Sequence, residues 1–271
     1  MPESPEVQAL AEFLDERLTS RRITRVEVDE FRAIKTRDRP PASLEGATVT
    51  GVRRFGKHLS VSTDAGALVI SFGRAGWARW NGEAAPGGAP VIARIELDDD
   101  MLDLTDAGQW LSLALHVVDD PLDVPAIAGL GPDPASDGFT LERFDAVVAG
   151  RRKQLKALLQ EQESFAGIGN AYSDEILHEA RLSPVAHASA LDEVGRDALF
   201  AATTGVVRAA IAARRGIPPH ALKAAKVAAM QVHGRGGAPC PRCGDAVRDH
   251  STSSTSWQYC ATCQTAGIPL E

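Results

Sequence analysis

The chain has 271 residues, 44% of them apolar, enough for one large or two modest domains with real cores. No apolar run approaches the roughly 18 residues needed to span a membrane, and the charged amino terminus lacks a signal-peptide core, so a soluble intracellular protein is expected. A net charge of −7 weighs against a nucleic-acid partner on average. The distribution weighs the other way: Arg208, Arg214, Arg215, Lys223, Lys226, Arg235, Arg242 and Arg248 share their stretch with one acid, Asp245.

The chain opens Met1-Pro2-Glu3-Ser4-Pro5-Glu6. With Met1 removed, Pro2 presents a secondary amine. Such an amine attacks an aldehyde carbon and forms a cationic iminium, a covalent electron sink made without a cofactor. An α-amino group titrates at about pH 8, against about 10.4 for lysine, so a useful fraction is unprotonated near neutrality. Glu3, adjacent in the backbone, can move protons. The same residues also read as an ordinary helix start, since Val7, Leu10, Phe13, Leu14 and Leu18 give residues 5–18 a helical apolar face.

Short β-patterned runs follow: Ile23 to Val28, Ala47 to Arg53, His58 to Thr63, Ala67 to Phe72, Val91 to Leu97, Met101 to Leu104 and Trp110 to Val118. Their Gly, Pro and Asp punctuation is that of an all-β sandwich. Asp64-Ala65-Gly66 reads as a hairpin turn, and Gly82 to Pro90 as a mobile Gly/Ala/Pro-rich loop. Arg53-Arg54-Phe55-Gly56-Lys57-His58 sets three cations around a glycine, which suits either a solvated turn or a phosphate clamp.

Residues 119–139, with Pro121, Pro125, Pro132 and Pro134, read as an interdomain linker. The pattern then turns helical, over Leu141 to Val148, Arg151 to Gln160, Ala171 to Ala180, Leu191 to Arg214 and, past Pro218 and Pro219, Ala221 to Met230. Within it, Gly167-Ile168-Gly169-Asn170 is a tight turn feeding a helix. That geometry presents backbone N–H groups to an anion such as a phosphate, or serves simple helix packing.

All four cysteines fall near the end, as Cys240-x-x-Cys243 and Cys260-x-x-Cys263 with sixteen residues between the pairs. This is the spacing of a four-cysteine zinc ribbon, in which four thiolates close the tetrahedron and one zinc ion is structural. A redox dithiol is the alternative. The segment from Gln231 onward is poor in apolar residues and needs a metal to fold.

In this order, the opening Pro-Glu-x-Pro-Glu, Arg54-Phe55-Gly56-Lys57, Leu130-Gly131-Pro132-Asp133-Pro134, Gly167 to Glu175 and the ribbon ending Cys263-Gln264 resemble the formamidopyrimidine-DNA glycosylase / endonuclease VIII family of base-excision repair enzymes. The resemblance covers nearly the whole chain. It implies an α+β multidomain fold: a catalytic β-sandwich with an N-terminal helix (1–120), a linker (121–139), a helix–two-turn–helix DNA-binding domain (140–230) and a zinc hairpin (231–271).

It further implies a bifunctional DNA glycosylase and AP lyase. Pro2 attacks the sugar of an extruded damaged nucleotide, Glu3 protonates the ring, Glu6 supports the site, and Lys57, beside Arg54, contacts phosphate. Lys156 and Asn170 match positions that grip the backbone beside the lesion. The strand is then cut by β-elimination, often with δ-elimination. The implied setting is a bacterial cytoplasmic, nucleoid-associated monomer acting on double-stranded DNA with damaged bases or abasic sites.

Three positions depart from the family. Thr255 stands where a zinc-hairpin arginine holds a phosphate. Arg74 takes the place of a methionine that fills the vacated stack. In Asp106-Ala107-Gly108-Gln109-Trp110, Trp110 can wedge like the family's phenylalanine, but Gly108 replaces the arginine that reads the orphaned base. These departures leave open two other readings: a damaged- or abasic-DNA binding protein with little excision, and a lyase working mainly on single-stranded or bubble DNA.

Overall fold

The computed structural model describes residues 2–83, 88–251 and 256–270. Residues 84–87 of the expected Gly82 to Pro90 loop, and Thr255 with its three preceding residues, lie outside them. The chain groups into two compact units, Met1–Gly129 with Arg214–Lys223, and Leu130–Ala213 with Ala224–Glu271.

The first unit begins with α1 (Ser4–Leu18), followed by β1 (Arg25–Val28), β2 (Val49–Phe55), β3 (His58–Thr63), β4 (Gly66–Ser71), β5 (Gly76–Trp80), β6 (Val91–Leu97), β7 (Asp100–Asp106) and β8 (Ala114–Val118). They form two antiparallel sheets, ordered β1-β6-β7-β5 and β2-β3-β4-β8. Alternation places the core. Leu59 pairs with Ile70 and Ile70 with Leu115, while Val61 pairs with Leu68 and Leu68 with Val117. Side chains directly opposite share a face, so two apolar rows run across the second sheet. They join Val26, Ile95, Leu102 and Leu104 of the first sheet and Val7, Leu10 and Leu14 of α1 in one buried cluster. The β3–β4 turn is Asp64-Ala65, with Thr63 opposite Gly66.

Two strand expectations need correction. The run from Trp110 is not strand: β8 starts at Ala114, because the Asp106 carboxylate takes the N–H groups of Gly108, Ser112 and Leu113. β5 was not expected, because Arg79 gives its run a polar residue. Arg79 is in fact buried, its Nε on the Thr105 hydroxyl and its Nη1 on the Glu83 carbonyl. The proline-rich stretch after β8 holds a single 3-10 turn (Pro121–Asp123) and α2 (Pro125–Ala128).

The second unit contains α3 (Leu141–Val148), α4 (Leu155–Gln160), α5 (Asn170–Ala180), most of α6 (Glu193–Arg214) and the end of α7 (Pro219–Ala229). The hairpin β9 (Val247–Ser251) and β10 (Ser256–Cys260) and the short α8 (Ala261–Gln264) complete it. Phe139, Phe144, Phe165 and Phe200 interlock at ring separations of 5.6–6.3 Å, around which Leu155, Leu159, Ile176 and Leu177 are buried. α4 starts four residues later than its apolar pattern suggests. Arg151 and Lys153 turn aside to grip Glu161 at 2.7 and 2.5 Å. The helical pattern is interrupted between α6 and α7 as expected, and α7 starts two residues early, at Pro219, because a missing N–H costs nothing at the first helical position. Among the described residues no helix is long and apolar enough to cross a membrane.

Candidate active site and nucleic-acid interface

Pro2 is half-buried and precedes a helix start built as a capping box. Glu3 and Glu6 are each only 2% exposed. The Glu3 carboxylate accepts from the Glu6 backbone, and Glu6 Oε2 accepts the Glu3 N–H at 3.1 Å, satisfying two helix-end donors reciprocally. The guanidinium of Arg214, brought back to this unit by the end of α6, lies 3.8 Å from Glu6 Oε1. The acids after Pro2 are therefore fixed in place by backbone and charge.

Lys57 occupies the two-residue tip between β2 and β3, where Gly56 takes φ +56°, the left-handed conformation such a tip needs. Arg54 donates from Nε to Gln8 of α1 at 2.9 Å and from Nη1 to the Gly56 carbonyl at 3.1 Å. It thus ties the tip to the first helix. The neighbouring His58 is held largely neutral: burial, then His116 and Lys57, push its pKa down to about 4.

Arg74 is exposed in the turn between β4 and β5, and Trp110, 81% exposed, lies in the loop between β7 and β8. Asp106, at the end of β7, anchors that loop. Burial works against its charge, but the N–H groups of Ser112, Gly108 and Leu113 and the Ser112 hydroxyl outweigh it and hold the carboxyl below its usual range.

In the second unit, Asn170 begins α5 behind an extended Gly169, and Gly167 at φ +87° makes the turn. Gln162 braces this turn. Its Nε2 donates to the carbonyls of Gln160 and Ile168, and its Oε1 accepts from Gly167. The Asn170 side chain accepts from Gln160 at 3.1 Å and donates to Ser256 of β10 at 3.4 Å. Lys156, matched to a position that grips the backbone beside the lesion, is held next to this turn. It is 3% exposed, and its ammonium contacts Asp174 at 2.5 Å, Ser173 at 3.0 Å and the Asn170 carbonyl at 3.1 Å. An ammonium neutralised inside the fold orders the turn from beneath.

The sulfurs of Cys240, Cys243, Cys260 and Cys263 lie within 4.8 Å of one another, with Cys240–Cys263 at 3.9 Å and Cys243–Cys260 at 3.4 Å. These separations are too long for disulfides and close to the roughly 3.8 Å edge of a tetrahedron with metal–sulfur bonds of about 2.3 Å. The donor set fits a metal ion. α5 carries the cluster. Glu175 accepts the N–H groups of Gln231, Val232 and His233 at 2.8–3.0 Å, and burial, opposed by these bonds, raises its pKa. Asp174 meets His233 at 2.8 Å, and His178 Nε2 sits 3.3 Å from Cys240 Sγ. Ser112 and His178 did not stand out in the sequence, whereas Asp106 and Glu175 fall within the stretches 106–110 and 167–175 that carry the resemblance.

Two family models match the chain: the formamidopyrimidine-DNA glycosylase N-terminal domain over residues 1–110 and the formamidopyrimidine-DNA glycosylase H2TH domain over residues 130–218. The formamidopyrimidine-DNA glycosylase of Geobacter metallireducens is 31% identical, over 98% of this chain and 100% of its own. A Mycobacterium tuberculosis protein described as an uncharacterized formamidopyrimidine-DNA glycosylase-like protein is 43% identical over 54% of this chain and 91% of its own. Among solved structures, the MutM (Fpg) protein of Thermus thermophilus superposes with TM-score 0.83 at 28% identity, covering 97% of this chain and 99% of that one. Lactococcus lactis Fpg, in complex with N7-benzyl-Fapy-dG-containing DNA, superposes with TM-score 0.86 at 24% identity and the same coverage.

Proposed function

The chain belongs to the formamidopyrimidine-DNA glycosylase family, and on that premise we propose that it excises damaged bases from DNA through an iminium on Pro2 and then cuts the strand. It is a base-excision-repair DNA glycosylase, with the AP lyase activity typical of its family, and its partner is DNA carrying damaged bases or abasic sites. Its place is the bacterial cytoplasm, at the nucleoid, as a monomer. The observation that carries the catalytic assignment is the buried reciprocal pair of Glu3 and Glu6 directly behind Pro2.

Loss of Met1 frees the Pro2 amine. Its lone pair attacks the anomeric carbon of the extruded nucleotide, the bond to the base breaks, and the sugar ring opens as Glu3 gives a proton to the ring oxygen. The resulting iminium acidifies the adjacent sugar carbon, so the 3′ phosphate leaves by β-elimination, and a second phosphate can follow by δ-elimination. Glu6 holds the Glu3 backbone. Lys57 contacts the phosphate, while Arg54 holds its turn. Arg74 and Trp110 fill the space the nucleotide leaves. Asn170 grips the backbone at the α5 terminus, with Lys156 ordering that turn, and Thr255 offers a hydroxyl to a phosphate. The four cysteines hold one structural zinc.

Borohydride trapping tests this reading. The Met1-processed protein is mixed with an oligonucleotide carrying one abasic site, beside a Pro2→Gly variant. A covalent adduct that is lost or much reduced in the variant is the expected result. Absence of an adduct, with DNA binding retained, would leave a damaged-DNA binder in its place.

A further inference from the structure

Arg74 and Trp110 lie in different connections of the first unit, one between β4 and β5, the other between β7 and β8. Yet the two loops are stitched together. The Ser112 hydroxyl donates to Asp106 Oδ2 at 2.9 Å and accepts the N–H of Arg74 at 3.0 Å and of Ala75 at 3.3 Å. A hydroxyl has one donor and two lone pairs, and here all three are used, two of them across loops. The Ala107 N–H adds a bond to the Ala75 carbonyl at 3.2 Å. Gly73, at φ +53°, runs so close to the Ser112 backbone that a Cβ there would collide with it. Asp106, itself 3% exposed, accepts the N–H groups of Gly108, Ser112 and Leu113 as well. Beneath two exposed side chains, a cation and an indole, lies a fully bonded polar pin.

We propose that Asp106 and Ser112 lock the two loops into one rigid part, so that Arg74 and Trp110 enter duplex DNA together, with Ser112 the positioning residue for that entry. The inference rests on the DNA lyase reading above. Wedging a side chain between base steps costs a few kcal/mol of unstacking. A loop that also had to be ordered on binding would add to that cost, and a pinned loop does not. Single-stranded DNA has no paired stack to enter. The pin therefore bears on the choice between duplex and single strand.

The test compares borohydride trapping rates on duplex and single-stranded abasic oligonucleotides for wild type, Trp110→Ala, Ser112→Ala and the double variant, each checked for a wild-type-like melting temperature. Asp106→Asn serves as a second way to break the pin. The expected result is a fall in the duplex/single-strand ratio of roughly fivefold in Ser112→Ala, the worth of about one hydrogen bond at 1.4 kcal/mol per tenfold. Asp106→Asn falls in the same direction, and the double variant, in which only the entry of Arg74 is left to disturb, loses less than the product of the two single losses. A lowered ratio in Trp110→Ala with wild-type ratios in both pin variants overturns the pin. So does a double variant whose losses multiply. An unchanged ratio in Trp110→Ala overturns it too, since there is then no wedge to position. Trapping by the wild type in any of these cases keeps the lyase reading intact, whereas its absence on both substrates removes that reading first.

Discussion

At the scale of single residues, the chemistry depends on which charges find partners. Lys156 and Arg54 look alike in the sequence as cations near expected phosphate sites. One is sealed against Asp174 and the other ties a turn to Gln8. His58 is the titrating group with the clearest consequence. Burial, with His116 and Lys57 nearby, lowers its pKa from 6.5 to about 4. Between these values the unfolded chain holds more protons than the folded one, so stability rises with pH. The contribution of His58 is complete above pH 6.5 and is lost as pH falls toward 4. Urea denaturation at a series of pH values is expected to show this slope, and His58→Gln to reduce it by up to about 3 kcal/mol across the window. An unchanged slope in the variant would place the proton uptake elsewhere. His116, whose pKa burial also lowers, is the next group to test.

At the scale of elements, glycine positions separate strain from space. Gly73 has φ +53° and a backbone neighbour where a Cβ would stand, whereas Gly216 has φ +74° and nothing within 4 Å. Gly216→Ala meets only the left-handed penalty, about 1–2 kcal/mol. Gly73→Ala adds a collision with the Ser112 backbone and is expected to cost distinctly more, above about 2 kcal/mol. Denaturant midpoints of the two variants check the order, and equal losses would mean that the loops separate easily. The same crowding explains why the run from Trp110 reads as strand yet is not. Its β-favouring side chains are present, but its backbone donors go to one carboxylate instead of to a ladder.

At the scale of the whole molecule, each unit has its own source of order. The first rests on a buried apolar cluster spanning two sheets and a helix. In the second, the segment from Gln231 onward has two small clusters among the described residues, Val232 and Val247 with the cysteines, and Trp257, Tyr259 and Ala261 against Val185 and Leu270. Removing the metal with a chelator is therefore expected to strip hydrogen-exchange protection from β9 and β10 while the amides of β2, β3, β4 and β8 stay protected. Protection that persists in β9 and β10 after verified metal loss would show that α5, through Glu175 and His178, suffices to hold the hairpin.

The sequence by itself determined whatever depends on covalent spacing. That includes the proline and two acids at the amino terminus, the two Cys-x-x-Cys pairs, the glycine turn before α5 and the order of strands before helices. In each case the chemistry is set by residues a few positions apart. Tertiary structure alone decided the partner of each charge and the course of each irregular segment. Lys156 is buried because Asp174 lies one helix away, and Asp106 gathers a loop because burial leaves its oxygens no water. Residues 214–223 rejoin the first unit because Leu222 finds its core and the Trp77 indole finds the Pro219 carbonyl at 3.0 Å. Those contacts link positions far apart in the chain, and no local pattern of residue types encodes the distance between them.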